Sequence, residues 1–364
     1  MRRNVFIIAV FVTGIVILLY LHHISQRRDE KPFEERNDLT QMLVELKSQV
    51  TRLGKFVARI DRSRDTLHEH RSGKQAVTEV NTLQSGLSTK TRSERSHKCK
   101  IVDMNIVDKK DFDCVPMRTG RGSTPICVYD PRIDIFISHS LVHNHKRWEE
   151  EAVVLLEKLF DRYPDLQLLD LGANIGIYAL TALKYGRQVL AVDPNFENLK
   201  RIRASVHEGK FPVDSIVLVQ NAISDKYERI QLIPNKINVG GRGIMPAKSD
   251  ENAADAIHMD DLLEAVKFSK AIMKIDIETS EARAMSHAEK MFDKIDIPIV
   301  FMEWNYAKVE PGGSNMRRFF ESRGYSAYDS PVNGTILTGD HQKWTNMDVF
   351  WMRTNGTRFP SIKA

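Results

Sequence analysis

Asp170-Leu171-Gly172-Ala173-Asn174-Ile175-Gly176 decides the fold of this 364-residue chain. The heptapeptide closes the apolar run Leu166–Leu171 and opens an apolar pattern over 175–185. An apolar run, a turn with two glycines and a helix make the first crossover of an open parallel sheet. Such sheets bind ligands outside the carboxyl ends of their strands. Glycine lets the backbone turn sharply and approach a ligand closely. A second apolar run, Gln188–Val192, ends in Asp193, 17 residues beyond Gly176. An acid at that distance can accept hydrogen bonds from the diol of a ribose.

The glycine spacing narrows the nucleotide. A dinucleotide site uses G-x-G-x-x-G and a free helix N-terminus for the pyrophosphate. Here Asn174 stands where the second glycine would be, and no phosphate-binding lysine follows. Asp170 would repel a phosphate but suits a cation. The pattern fits S-adenosylmethionine, an adenosine cofactor without phosphate that carries an ammonium and a sulfonium. A glycine-bearing turn in an unrelated α/β domain is the plainer alternative.

Working outward, apolar runs and helical patterns alternate. Strands are predicted at Leu166–Leu171, Gln188–Val192, Ile216–Val219, Ala271–Ile277 and Ile297–Met302. Helices are predicted over 175–185, 196–208, 280–293 and 314–323, and late strands near 325–329 and 348–353 close the sheet as a hairpin. This alternation predicts an α/β fold: a doubly wound, mostly parallel, Rossmann-like sheet. Asp260 and Asp261, just before Leu262-Leu263, read as helix caps. His143 and His145 read as a solvated loop, and Trp148 and Trp304 as core aromatics.

The first 98 residues differ in character. They hold 18 basic and 11 acidic side chains, whereas residues 99–364 hold 35 basic and 37 acidic ones. A near-neutral folded part argues against nucleic acid as a partner. Residues 1–4 read as a short cytosolic tail. Residues 5–21 (VFIIAVFVTGIVILLYL) carry no charge and would span roughly 25 Å as a helix. They read as a transmembrane signal-anchor, since a cleaved signal has a shorter apolar core and a small-residue exit. Residues 22–98 read as a stem. Leu39, Leu46, Leu53, Ile60 and Leu67 recur every seven residues, predicting a dimerising coiled coil over about 39–67 before a polar linker at 68–98. Residues 99–147 read as a cap on a catalytic domain at 148–364. Cys99, Cys114 and Cys127 allow either one bridge with a leftover thiol or three reduced thiols. The sequons at Asn333 and Asn355 lean toward a lumenal domain, and so toward a type II protein of the Golgi or endoplasmic reticulum.

From 148 to 353 the sequence resembles the FkbM family of S-adenosylmethionine-dependent methyltransferases. The ordered stretches are Trp148-Glu149, DLGANIGIYAL (170–180), AVDPN (191–195), QNAIS (220–224), HMDDLL (258–263), MKIDIETSEARAM (273–285) and VFMEW (300–304). The resemblance implies a class I methyltransferase fold and O-methylation of a hydroxyl, on a glycan or a small molecule. It implies cofactor contacts from Asp170, Gly172, Asn174, Gly176, Asp193 and Asn221, with Glu149 near the amino-acid end. Two positions depart from the family pattern: Thr279 where glycine is usual, and Trp304 where histidine often follows a glutamate.

Methyl transfer needs a positioned acceptor and a base for its proton. Asp276 and Glu278 are the catalytic candidates, sharing a side if the strand continues through them. They act as the base or hold a divalent cation, and no separate metal ligands are assigned. The plainer reading is that Glu278 and Glu281 favour a helix N-terminus. Two other functions compete: a secretory glycosyltransferase using Asp111-Phe-Asp113 or Asp276-Ile-Glu278 as its acid pair, and a cofactor-binding protein without turnover.

Overall fold

A computed structural model describes residues 99–353, apart from 108–111, 145–146, 236–237, 240, 250–252, 306 and 311. The anchor at 5–21, the coiled coil at 39–67, the linker, Asp111, His145 and Asn355 lie outside the described residues. Among the described residues no helix is long and apolar enough to cross a membrane.

Two strands, β1 (Cys114–Thr119) and β2 (Gly122–Cys127), form an antiparallel hairpin. Helix α1 (Glu150–Arg162) leads into β3 (Gln167–Leu171). Helix α2 (Ile177–Lys184), strand β4 (Val189–Val192), helix α3 (Phe196–Glu208) and strand β5 (Ile216–Val219) continue the alternation. A smaller sheet follows, built from β6 (Asn221–Ile223), β7 (Arg229–Leu232), β8 (Ile244–Pro246) and β9 (Ala253–Ile257). Then come β10 (Lys270–Ile275), the short helices α4 (Glu281–Met285) and α5 (Glu289–Lys294), and β11 (Asp296–Glu303). Helix α6 (Gly313–Ser322), β12 (Tyr325–Tyr328) and β13 (Asp348–Arg353) finish the domain.

The main sheet has the order β12-β13-β11-β10-β3-β4-β5. All its pairings are parallel except those of β13, which runs antiparallel to both neighbours. This is the class I methyltransferase type of sheet. Its central strands are covered on both faces, which is why β4 and β5 read as continuous apolar runs, buried at every position. The late hairpin forms, but β13 rather than β12 docks beside β11.

The predicted helix over 280–293 is broken after Met285. Ser286 Oγ donates to Arg283 O at 2.7 Å, an alternative to the helical ladder. The 258–261 segment then takes the freed groups: Asp260 N donates to His287 O (3.1 Å), and Asp260 Oδ1 accepts from Met291 N (2.8 Å). Asp260 thus caps α5, while Asp261 Oδ2 accepts from His258 N in its own turn (2.9 Å). Trp304 is fully buried against Trp344 and Trp351, and Trp148 lies edge-on to Phe136.

Cys114 and Cys127 form a disulfide across the β1–β2 hairpin, and Cys99 is free. The bridge joins residues 13 apart. Replacing both cysteines by alanine is expected to cost about 3 kcal/mol, the closure entropy of a loop of this length. Denaturant titration checks it: a reductant should lower the midpoint of the native chain but not of the variant.

Candidate functional site

The loop after β3 contains three left-handed residues: Gly172 (φ +85°), Asn174 (φ 50°) and Gly176 (φ +95°). The glycines are required by the chain itself. A Cβ on Gly172 would lie 1.8 Å from the Asp276 carbonyl oxygen, and one on Gly176 2.9 Å from Ile202 of α3. The loop is clipped to the next strand by Gly172 N and Ala173 N, which both donate to Val192 O.

Asp193 completes this clip. Its Oδ2 accepts from Asn174 N (2.9 Å), and its Oδ1 accepts from Asn195 N (2.7 Å) and Asn198 Nδ2 (3.2 Å). Burial nevertheless pushes its pKa up to about 7 against those three donors. A carboxylate has about four acceptor positions, so capacity remains for a hydroxyl. Beside it, beyond the ends of β4 and β5, lies a cavity of about 740 Å³ whose lining includes Tyr129, Asn195, Phe196, Gln220 and Arg242. Asn221 is committed to the chain: its Oδ1 accepts from Lys100 N (2.8 Å) and its Nδ2 donates to Asp255 O (3.0 Å).

Asp170 lies on β3 directly beside Lys274 of β10. Asp170 is fully buried, and neither of its oxygens accepts a well-formed hydrogen bond. Burial pushes its pKa up to about 6, while the Lys274 charge pulls it down. The Asn174 side-chain oxygen is also buried without a donor. Burial works against the charge on Lys274, but Asp276, Asp170 and Glu149 outweigh it and raise its pKa. The ammonium lies 3.3 Å from Asp276 Oδ2 and 4.7 Å from the centre of the Tyr178 ring. Tyr178 donates its hydroxyl to Glu149 Oε2 at 2.8 Å.

The expected pairing of Asp276 with Glu278 does not form. β10 ends at Ile275, and Glu278 and Thr279 both adopt left-handed backbone (φ 55° and 69°), so the alternation of side chains stops. Glu278 Oε1 turns instead toward Gly241. Thr279 occupies a conformation that glycine adopts without strain, which accounts for the family's usual residue there.

Sequence reading missed two other carboxylates, Glu303 and Asp348. Asp276 converges with Glu281 and Glu303, ligand-capable oxygens of all three lying within 4.8 Å of one another. Glu303 ends β11, and opposite it Asp348 starts β13. Burial pushes the Asp348 carboxyl up to about 7, helped by Glu149 and Asp276. The available signal was topological: an antiparallel strand begins where its parallel neighbours end. His139 and His143 rings lie 4.5 Å apart, but no metal-capable cluster of described residues includes them.

Residues 170–327 match the model of the methyltransferase FkbM domain. No curated protein matches the chain. Similar solved structures include the methyltransferase FkbM of Methylobacillus flagellatus, at 14% identity and a TM-score of 0.34, covering 51% of this chain and 43% of that one. The S-adenosylmethionine-dependent O-methyltransferase of Thermotoga maritima has 9% identity and a TM-score of 0.32, covering 66% of this chain and 78% of its own. The tRNA (uracil-54, C5)-methyltransferase of Pyrococcus abyssi, in complex with S-adenosyl-L-homocysteine, has 11% identity and a TM-score of 0.34, over 66% and 43%. The chain thus spans less than half the length of the first of these.

The glycine contacts generate a paired test. Gly172→Ala is expected to destabilise the fold by at least about 2 kcal/mol, from the clash with the Asp276 carbonyl plus left-handed strain. Gly186 also has positive φ (+73°) but nothing within 4 Å of its added Cβ. Gly186→Ala should therefore cost only the strain, about 1–2 kcal/mol, and urea unfolding of both variants checks the difference.

Proposed function

We propose that this chain methylates a hydroxyl of a glycan with S-adenosylmethionine as donor, on the lumenal side of a secretory membrane to which residues 5–21 anchor it. The heptads at 39–67 would pair two copies. One observation carries the donor: around Lys274 the site gathers Glu149, Asp170, Asp276 and Asp348, four carboxylates against one ammonium. A phosphate-bearing nucleotide would be repelled there, whereas a donor with an ammonium and a sulfonium is attracted. Asp193 fits the ribose, and the adjoining cavity offers room for the base.

When bound, the donor supplies a methyl group already activated by the positive sulfur. The chain's task is to position the acceptor oxygen and take its proton. Asp276 is the base: it lies at the carboxyl edge of β10, is partly exposed, and is steadied by Lys274. As the oxygen bonds to the methyl carbon and the carbon–sulfur bond breaks, the hydroxyl proton passes to the Asp276 carboxylate. The lumenal setting is supported by the Cys114–Cys127 bridge, which persists in oxidising compartments, and by Asn333, exposed at a turn within its sequon. The glycan follows from that setting, where sugar hydroxyls are abundant.

Two measurements test the reading. Full-length chain is incubated with methyl-labelled donor and hydroxyl-bearing glycans. Asp276→Asn is expected to lower turnover by about 10²–10⁴-fold while donor binding persists. An unchanged rate removes the base assignment, and donor binding without turnover in the native chain favours a cofactor-binding protein. Second, protonated Asp193 accepts hydroxyl hydrogen bonds less well than its ionised form. Donor affinity should therefore fall up to about ten-fold per pH unit below 7 and level off above it. Calorimetry at pH 6 in two buffers of different ionisation enthalpy should show proton release, and Asp193→Asn should reduce it.

A further inference from the structure

We infer that Asp276, Glu281 and Glu303 form a binding site for a hard divalent cation at the carboxyl edge of the main sheet. The residues come from three elements that the topology forces together. β10 and β11 are parallel neighbours, with Ile275 paired to Met302. The next residue along each segment is an acid, Asp276 just past β10 and Glu303 at the end of β11, so two carboxylates leave the sheet side by side. The left-handed turn at Glu278 and Thr279 then brings back the first residue of α4, Glu281. The three oxygens lie within 4.8 Å of one another. A cation bound at about 2.0–2.6 Å from each oxygen needs only a small closure of that triangle.

The second observation is the state of Glu281. It is fully buried, its Oε1 accepts from Ile277 N (2.9 Å), and its Oε2 has no hydrogen-bond donor although the Glu310 carboxyl lies in contact with it. Glu310 is placed alike, with Oε2 accepting from Ala282 N (3.2 Å) and a buried Oε1 that lacks a donor. A buried carboxylate oxygen without a donor is costly and calls for a proton or a cation. The ammonium of Lys274 contacts Asp276 but is shared with Asp170 and Glu149. An all-oxygen set selects magnesium, calcium or manganese rather than a soft metal. Under the methyl-transfer reading, a cation there would also hold and acidify the acceptor hydroxyl beside Asp276.

Manganese is the probe. Full-length chain freed of metal with chelator is titrated with Mn²⁺ and followed by electron paramagnetic resonance, without donor or acceptor. Success or failure is therefore independent of the methyl-transfer reading. One site per chain is expected, weakened at least ten-fold by Glu303→Gln, which changes a half-buried residue. Glu281→Gln should abolish it. Should that variant fail to fold, Glu303→Gln alone decides. No uptake at millimolar Mn²⁺ overturns the inference and leaves a shared proton between Glu281 and Glu310 as the compensation. Uptake that Glu303→Gln does not weaken also overturns it, because the ion then lies elsewhere.

Discussion

The site depends on one crossing of backbone over backbone. The chain leaving β10 passes over the loop leaving β3, so closely that the Asp276 carbonyl occupies the space where any side chain at 172 would begin. Asp276 N donates to Leu171 O, extending the β3–β10 pairing one step past the sheet. This contact fixes the height of Asp276 above Asp170 and Lys274. It also holds the loop against β4, where the Asp193 carboxylate receives the Asn174 N–H. The Asp193 corner and the Asp276 corner therefore share one junction. Gly172 serves it by leaving that space empty.

Charge is the second consequence. Placing Asp170 and Lys274 side by side on adjacent central strands buries two opposite charges, and buried charges are costly unless further groups satisfy them. Here the surplus is negative. Lys274 faces Glu149, Asp170 and Asp276, and Asp348 approaches from the antiparallel strand. Burial raises Asp170, Asp193 and Asp348 to about 6 or 7, so they titrate close to neutrality. Perturbed carboxyls gathered at one edge of a sheet mark a functional region more than a structural one. The edge attracts positive charge, and the donor chemistry and the cation site are two expressions of that single imbalance.

Much of this was legible in the sequence because parallel sheets write themselves plainly. Helix α3 runs over the residues that its pattern marks, and β5 matches its apolar run. The glycine loop and Asp193 were readable because turn chemistry is local. The small sheet of β6–β9 was not, since strands of three to five residues carry little periodicity. The break between α4 and α5 was hidden because the group that takes up its freed amide, Asp260, lies 31 residues away. Glu303 and Asp348 escaped for a related reason. Each is an ordinary acid in its own segment, and only the pairing of β11 with β13 puts them opposite each other.

The two departures from the family pattern resolve differently once they are placed. Thr279 is a strained residue in a glycine's conformation, but the turn it makes still delivers Glu281 to the cluster, so the departure affects stability more than chemistry. Trp304 is fully buried, donates its indole N–H to His341 O (3.4 Å), and packs on Trp344 and Trp351 beneath the edge. No base can be supplied from there. Proton removal must then come from groups that reach the edge itself, and on the β10 and β11 side these are carboxylates. A chain that gives up an imidazole at this point needs either an acid whose proton affinity lies near neutrality or a cation that lowers the acceptor's own. Under the proposed reading, the cation site at Asp276, Glu281 and Glu303 would supply the second of these.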